Sequence, residues 1–246
     1  MPAYVVAFVQ PTDPAFGAYP PLVPPTLEPY DGKIILKCLV NEEIAKGGPE
    51  FKERSTADDF KIAVAIEFPS VDKAMEWKNS SEYQAIIGMR LENSTGPLIV
   101  CDGTGKAVEG GAEAYCLAFV KATGPKFAEY PPQVQATLDP FGGNFLVRCM
   151  LAKPAGEGGP VYAERTTAED YTVAVLLGFP SVEKLHGWHD SKAYQDIIDI
   201  RLDNSTGPLV GSKAFAPTEP KVLAKTVDTV VGWMRSLFLS GSQEAQ

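Results

Sequence analysis

A basic side chain in the middle of an apolar strand is a first place to look for chemistry, and this chain offers two. Lys37 sits in KIILKCL and Arg148 in NFLVRCM. Side chains alternate between the faces of a strand, so each cation would line one face, where partial enclosure would let it hold an acidic or enolisable small molecule. The plainer outcome is a snorkelling side chain whose stem covers apolar surface while its charge reaches an edge. Glu67 is the next-to-last residue of the run KIAVAIEF. On a strand beside Lys37, and on the same face, it would form a structural ion pair or a general base beside its modulator. The two histidines, His186 and His189, are spaced i,i+3 and can share a helix face. His189 is the candidate proton relay. Neither H-x-x-x-H nor H-E-x-x-H is present, so no metal is expected. The catalytic candidates are therefore Glu67, His189 and Lys37. The ligand-binding candidates are Arg148, Tyr4, Tyr115, Arg90 and Arg201. The last two arginines also suit the carbonyl ends of helices. Arg54 and Arg165 fall in a shared loop segment, E-R-[ST]-T-A-[DE]-D-[FY], where Asp59 and Asp170 are natural partners and a conformational role is expected.

The elements that position these residues come twice. At an offset of 111, Tyr4–Val100 aligns without a gap on Tyr115–Gly211, with 45 identities in 97 pairs. NSTGPL recurs at Asn93–Leu98 and Asn204–Leu209, and FPSV at Phe68–Val71 and Phe179–Val182. Each copy reads β, α, β, long loop, β, α, β. Residues 3–10, 33–40 and 61–68 form short apolar runs bounded by Pro and Gly, as do their counterparts. Prolines break the segment after the first strand, leaving a short helix at about 132–139 in the second copy. Residues 41–59 and 152–170 lack any period and read as exposed loops. Ser70, Ser181 and Ser80 are N-cap candidates, Trp77 and Trp188 pack inward, and Gly96-Pro97 and Gly207-Pro208 stop the last helices.

This order predicts an α+β chain: two ferredoxin-like βαββαβ repeats, packed sheet-to-sheet as an intramolecular α–β barrel, plus a C-terminal helix. The divisions are 1–101, a Gly-rich linker at 102–113, a second repeat at 114–212, and an extension at 213–246. Within the extension, residues 220–239 carry an apolar helical stripe suited to packing on the same chain, to self-association or to a protein partner. Each copy resembles the DUF1330 family of the dimeric α–β barrel superfamily. The resemblance rests on the openings YVVAFV and YCLAFV and on the runs Phe68–Val100 and Phe179–Val210, with Trp, S-x-x-Y-Q and Arg before the Ser/Thr-Gly turn. The second copy departs at Gly178, opposite Glu67. The superfamily implies cofactor-independent chemistry on small molecules of isomerase, cyclase or monooxygenase type, acting on an acidic, aromatic or enolisable compound. The alternatives are a small-molecule binding protein and a structural or assembly module, and fold does not choose among them.

Composition narrows the partners. With 22 basic against 31 acidic residues the net charge is −9, and no basic cluster offers a nucleic-acid or anionic-membrane surface. No stretch approaches a membrane span. No cofactor is expected, because Gly103–Lys106 lacks the spacing of a phosphate loop. The four cysteines include no C-x-x-C pair and are expected to be reduced core fillers. A cytoplasmic location is the expectation from the lack of a secretion signal.

Overall fold

The computed structural model describes residues 1–53 and 59–216. Arg54 and the expected helix 220–239 lie outside the described residues. The first repeat contains β1 (Ala3–Pro11), α1 (Val23–Leu27), β2 (Lys33–Leu39), β3 (Phe51–Glu53), β4 (Ile62–Phe68), α2 (Val71–Asn79), α3 (Ser81–Asn93), β5 (Ser94–Thr95) and β6 (Leu98–Asp102). The second repeats it as β7 (Ala114–Ala122), α4 (Pro131–Leu138), β8 (Asn144–Met150), β9 (Tyr162–Glu164), β10 (Val173–Phe179), α5 (Val182–His189), α6 (Lys192–Asn204), β11 (Ser205–Thr206) and β12 (Leu209–Lys213). Local chemistry sets the helix starts. Ser70 and Ser181 accept from the backbone N–H of Lys73 and Lys184, and Ser80 and Ser191 accept from Tyr83 and Tyr194. The repeated NSTGPL block has a backbone reason. Gly96 and Gly207 both adopt φ +118°, and a Cβ at either would overlap the carbonyl of Phe8 or Phe119.

Alternation along the strands builds two cores. One set of strand residues, including Val6, Phe8, Ala63, Leu117, Phe119 and Ala174, meets between the two sheets. The opposite set in each repeat packs under its own helices, around Trp77 in the first and Trp188 in the second. Each indole N–H donates to a buried threonine hydroxyl, Trp77 to Thr26 at 2.9 Å and Trp188 to Thr137 at 3.0 Å. This satisfies the polar atom that burial would otherwise penalise.

The sheets run β2-β4-β1-β6-β9 and β3-β12-β7-β10-β8, all pairs antiparallel. The two repeats do pack sheet against sheet, but the expected barrel is not formed: they remain two open sheets. The outer edge of β6 is occupied by β9 and that of β12 by β3, so the donors and acceptors needed for closure are already paired. These two short strands also correct the reading of 41–59 and 152–170 as loops alone. Each arm leaves its own repeat and adds an edge strand to the other: Phe51–Glu53 pairs with Leu209–Gly211, and Tyr162–Glu164 with Leu98–Val100.

Candidate functional site

In each repeat a cleft opens between the sheet and its own helices, rather than between the sheets. The first, about 130 Å³, is walled by Val5, Val64, Ile66 and Trp77, with Lys37 and Arg90 among its polar lining. The second, about 90 Å³, has Val175, Leu177 and Trp188 in the same places, with Arg148 and Arg201. Either volume exceeds what one water needs. Mostly apolar walls with a few placed polar groups are the pattern of small-molecule sites.

Arg90 and Arg201 form the inner polar ends, and both are buried. Helices α3 and α6 carry them, and the exchanged arms supply their partners. The Arg90 guanidinium donates from Nη1 to Glu164 Oε1 at 2.6 Å and from Nη2 to Oε2 at 3.0 Å, a bidentate geometry that only arginine provides. Arg201 donates through Nη2 to Glu53 Oε2. Burial opposes ionisation of these arginines. The carboxylate of the exchanged arm reverses it, Glu164 for Arg90 and Glu53 for Arg201. Burial likewise raises the carboxyls, but their basic partners more than compensate and hold Glu53 and Glu164 below the usual carboxylate range. In both arginines Nε is buried without a hydrogen-bond partner among the described residues. Beside them stand tyrosine pairs. Tyr19 and Tyr83 hydroxyls lie 3.1 Å apart, and Tyr130 donates to Tyr194 at 3.4 Å. Burial pushes Tyr19 and Tyr194 well above the ordinary phenol value, and the neighbouring tyrosine adds to it. Both stay protonated, so they can donate.

At the outer end the two clefts differ. Lys37 is half-buried, and burial lowers its ammonium below the ordinary value. Its Nζ lies 5.7 Å from the Phe215 ring centre. Arg148 is exposed. Lys37 and Glu67 are on neighbouring strands, but they do not meet. A bulge between Ile34 and Leu36 sets Lys33 opposite Glu67 and Lys37 opposite Val64. Lys37 and Val64 face the cleft, whereas Ile35 turns to the inter-sheet core, so the alternation Lys33, Ile35, Lys37 does not hold through the bulge. The same irregularity between Leu176 and Leu177 sends Leu146 to that core and Arg148 to the cleft.

The remaining candidates lie elsewhere. Tyr4 and Tyr115 belong to the inter-sheet core. Tyr4 donates to Glu67 Oε1 at 3.3 Å and Tyr115 to the Ala112 carbonyl at 3.3 Å. Opposite Glu67, a side chain at Gly178 would start 2.8 Å from Leu146 Cδ1 and 3.0 Å from Val108 Cγ2, so the linker and the bulged residue fill that space. His189 sits outside the cleft lining, at the arm. Its Nε2 is 3.0 Å from Glu53 and its Nδ1 2.8 Å from Asp190. The hydrogen bond it donates to Glu53 raises its pKa, against burial. His186 Nε2 lies 3.2 Å from Glu50. Among the described residues no cluster of three His, Cys, Asp or Glu side chains could hold a metal, and no helix is long and apolar enough to cross a membrane. Arg165 donates to the carbonyls of Leu91 and Ser94, not to Asp170, which instead accepts from Thr167. Sequence reasoning missed Glu53 and Glu164. Their signal was there, since both survive unchanged at the 111 offset beside an aromatic residue two positions earlier, Phe51 or Tyr162.

These features define a duplicated α+β protein with one cleft per repeat, each lined by an arginine that the other repeat's arm pairs. The chain belongs to the DUF1330 family, whose description is a domain of unknown function; the family matches residues 2–104 and 113–211. No curated protein matches the chain. Among solved structures, a mutant chlorite dismutase from Candidatus Nitrospira defluvii in complex with cyanide is 10% identical, with a TM-score of 0.47 over 95% of this chain and 94% of that one. A putative monooxygenase from Lactobacillus acidophilus is 9% identical, with a TM-score of 0.44 over 87% of this chain and 99% of that one. A protein of unknown function from Rhodopseudomonas palustris is 15% identical, with a TM-score of 0.31 over 43% of this chain and 85% of that one. None of these likenesses carries an argument about activity.

Proposed function

We propose that this protein is a small-molecule binding protein with two sites per chain. Each site would take a compact, largely apolar compound with a neutral oxygen at its inner end and an acidic or carbonyl oxygen at its outer end. The observation that carries this reading is the pair of buried Nε–H donors without an acceptor among the described residues, each on an arginine that lines one apolar cleft. A buried donor without an acceptor costs about 1–3 kcal/mol, and a ligand oxygen would recover it. Because Glu164 and Glu53 already balance the arginine charges, a neutral hydroxyl or carbonyl suits the inner end better than a second anion. The outer cations favour an acid.

The arrangement supports binding over turnover. Glu67 lies on the opposite face of its sheet from Lys37, and His189 lies outside the cleft lining, so the expected acid–base set is not assembled around either cleft. The test is calorimetric titration with 4-hydroxybenzoate, for which two sites per chain are expected. Val64→Phe and Val175→Phe would each fill one cleft and remove one site. Binding that survives both substitutions together would refute the proposal.

A further inference from the structure

The equivalent positions 37 and 148 are both basic, yet their chemistry is not interchangeable. A guanidinium stays protonated and cannot act as an amine nucleophile. An amine held in an apolar pocket can, and desolvated lysines form imines with carbonyl compounds for this reason. Lys37 lies within the strand-walled part of the first cleft, next to Val64, with the Arg90 Nε–H and the Tyr19–Tyr83 hydroxyl pair at the inner end. Two chemically different handles therefore face one apolar chamber, an amine outside and neutral-oxygen donors inside.

We infer that the first cleft captures small aldehydes or ketones covalently and reversibly, as an imine on Lys37, while the second binds the same class of compound without a covalent bond. This inference rests on the binding reading above. The Nζ lone pair attacks the carbonyl carbon and a C=N bond replaces C=O. The carbonyl oxygen leaves as water with the two amine hydrogens, and hydrolysis reverses the step without any oxidant or reductant. The apolar walls hold the body of the compound, and a distal hydroxyl reaches Arg90 and the tyrosines. Burial lowers the Lys37 ammonium below its ordinary value, the direction that favours attack by the amine.

The experiment treats the full-length chain with 4-hydroxybenzaldehyde and cyanoborohydride, which reduces the imine to a stable amine, and maps the adduct by peptide mass spectrometry. Lys37 should be labelled at least about tenfold faster than Lys192, whose side chain is 86% exposed. The adduct should vanish in Lys37→Arg and in Val64→Phe, which leaves the amine but fills the cleft. Labelling of Lys37 no faster than Lys192 would overturn the inference. Calorimetry with 4-hydroxybenzoate, whose carboxylate forms no imine with an amine, separates the two claims. Two bound molecules without selective labelling sink only the imine. No bound 4-hydroxybenzoate sinks the binding reading and the imine together.

Discussion

Glu164 and Glu53 perform one task in two sockets that differ in how the task is finished. In the first socket Glu164 clamps Arg90, the Tyr162 hydroxyl donates to Glu164 Oε2 at 3.1 Å, and the Lys78 ammonium stands 3.9 Å above the Tyr162 ring. In the second, Phe51 replaces Tyr162 and has no hydroxyl to give. His189, at the position of Lys78, stacks on Phe51 with ring centres 4.1 Å apart and reaches Glu53 itself. The ion pair, the aromatic contact and a further donor to the carboxylate are kept in both sockets. Only the source of that last donor has moved, from the arm to the helix. The consequence is that the second socket holds an imidazole whose pKa is raised above its ordinary value, where the first holds a lysine.

The largest effect should come from removing the shared part. Glu53→Ala and Glu164→Ala each leave a buried guanidinium uncompensated, which costs about 3–5 kcal/mol; urea denaturation should show both losses, and a loss confined to one would break the equivalence of the sockets. Next, Gly178→Glu would restore in the second copy the carboxylate of the first. With Leu146 and Val108 already in that space, overpacking should cost about 1–3 kcal/mol, measurable by the same method.

A smaller effect separates the sockets by pH. His189 has its pKa raised above its ordinary 6.5 in the folded chain. Its contribution is then fully present below 6.5 and is lost as pH rises through the raised folded value. His189→Gln should cost about 1–2 kcal/mol at pH 5.5 and clearly less at pH 9. A penalty equal at both pH values would mean that the ring acts only by stacking. The smallest effect is Lys78→Ala, about 0.5–1 kcal/mol from the lost cation–aromatic contact, with no change between pH 5.5 and 9.

Much of the fold was legible because its causes are local. The 111-residue offset, the serine caps and the Gly-Pro stops gave the strands and the helices flanking them, and the two-sided apolar strands required a second layer. The arms were not legible. FKE and YAE are three-residue strands that exist only because an edge of the other repeat, distant in sequence, accepts them, so no period marks them. The bulges beside Ile35 and Leu146 were equally hidden, and they break the strict alternation that would put Ile35 on the face of Lys37 and Leu146 on that of Arg148. Lys37, Arg148, Arg90 and Arg201 were found as cations and do line the clefts. Glu67, Tyr4, Tyr115 and His189 were chosen for their chemistry, but facing depends on register and packing that residue type alone does not fix.

The crossed arms also set an order of events during synthesis. The first repeat can complete β1, β2, β4 and β6 as soon as residue 102 has left the ribosome, but the outer edge of β6 and the charge of Arg90 have no partner until Tyr162–Glu164 appears. Phe51–Glu53 waits longer still, for Leu209–Gly211. The first repeat therefore keeps an open strand edge and an uncompensated arginine until about the middle of the second has been made, and the pairing of Phe51–Glu53 with Leu209–Gly211, which comes last and spans most of the described chain, is the kind of distant contact that forms slowly.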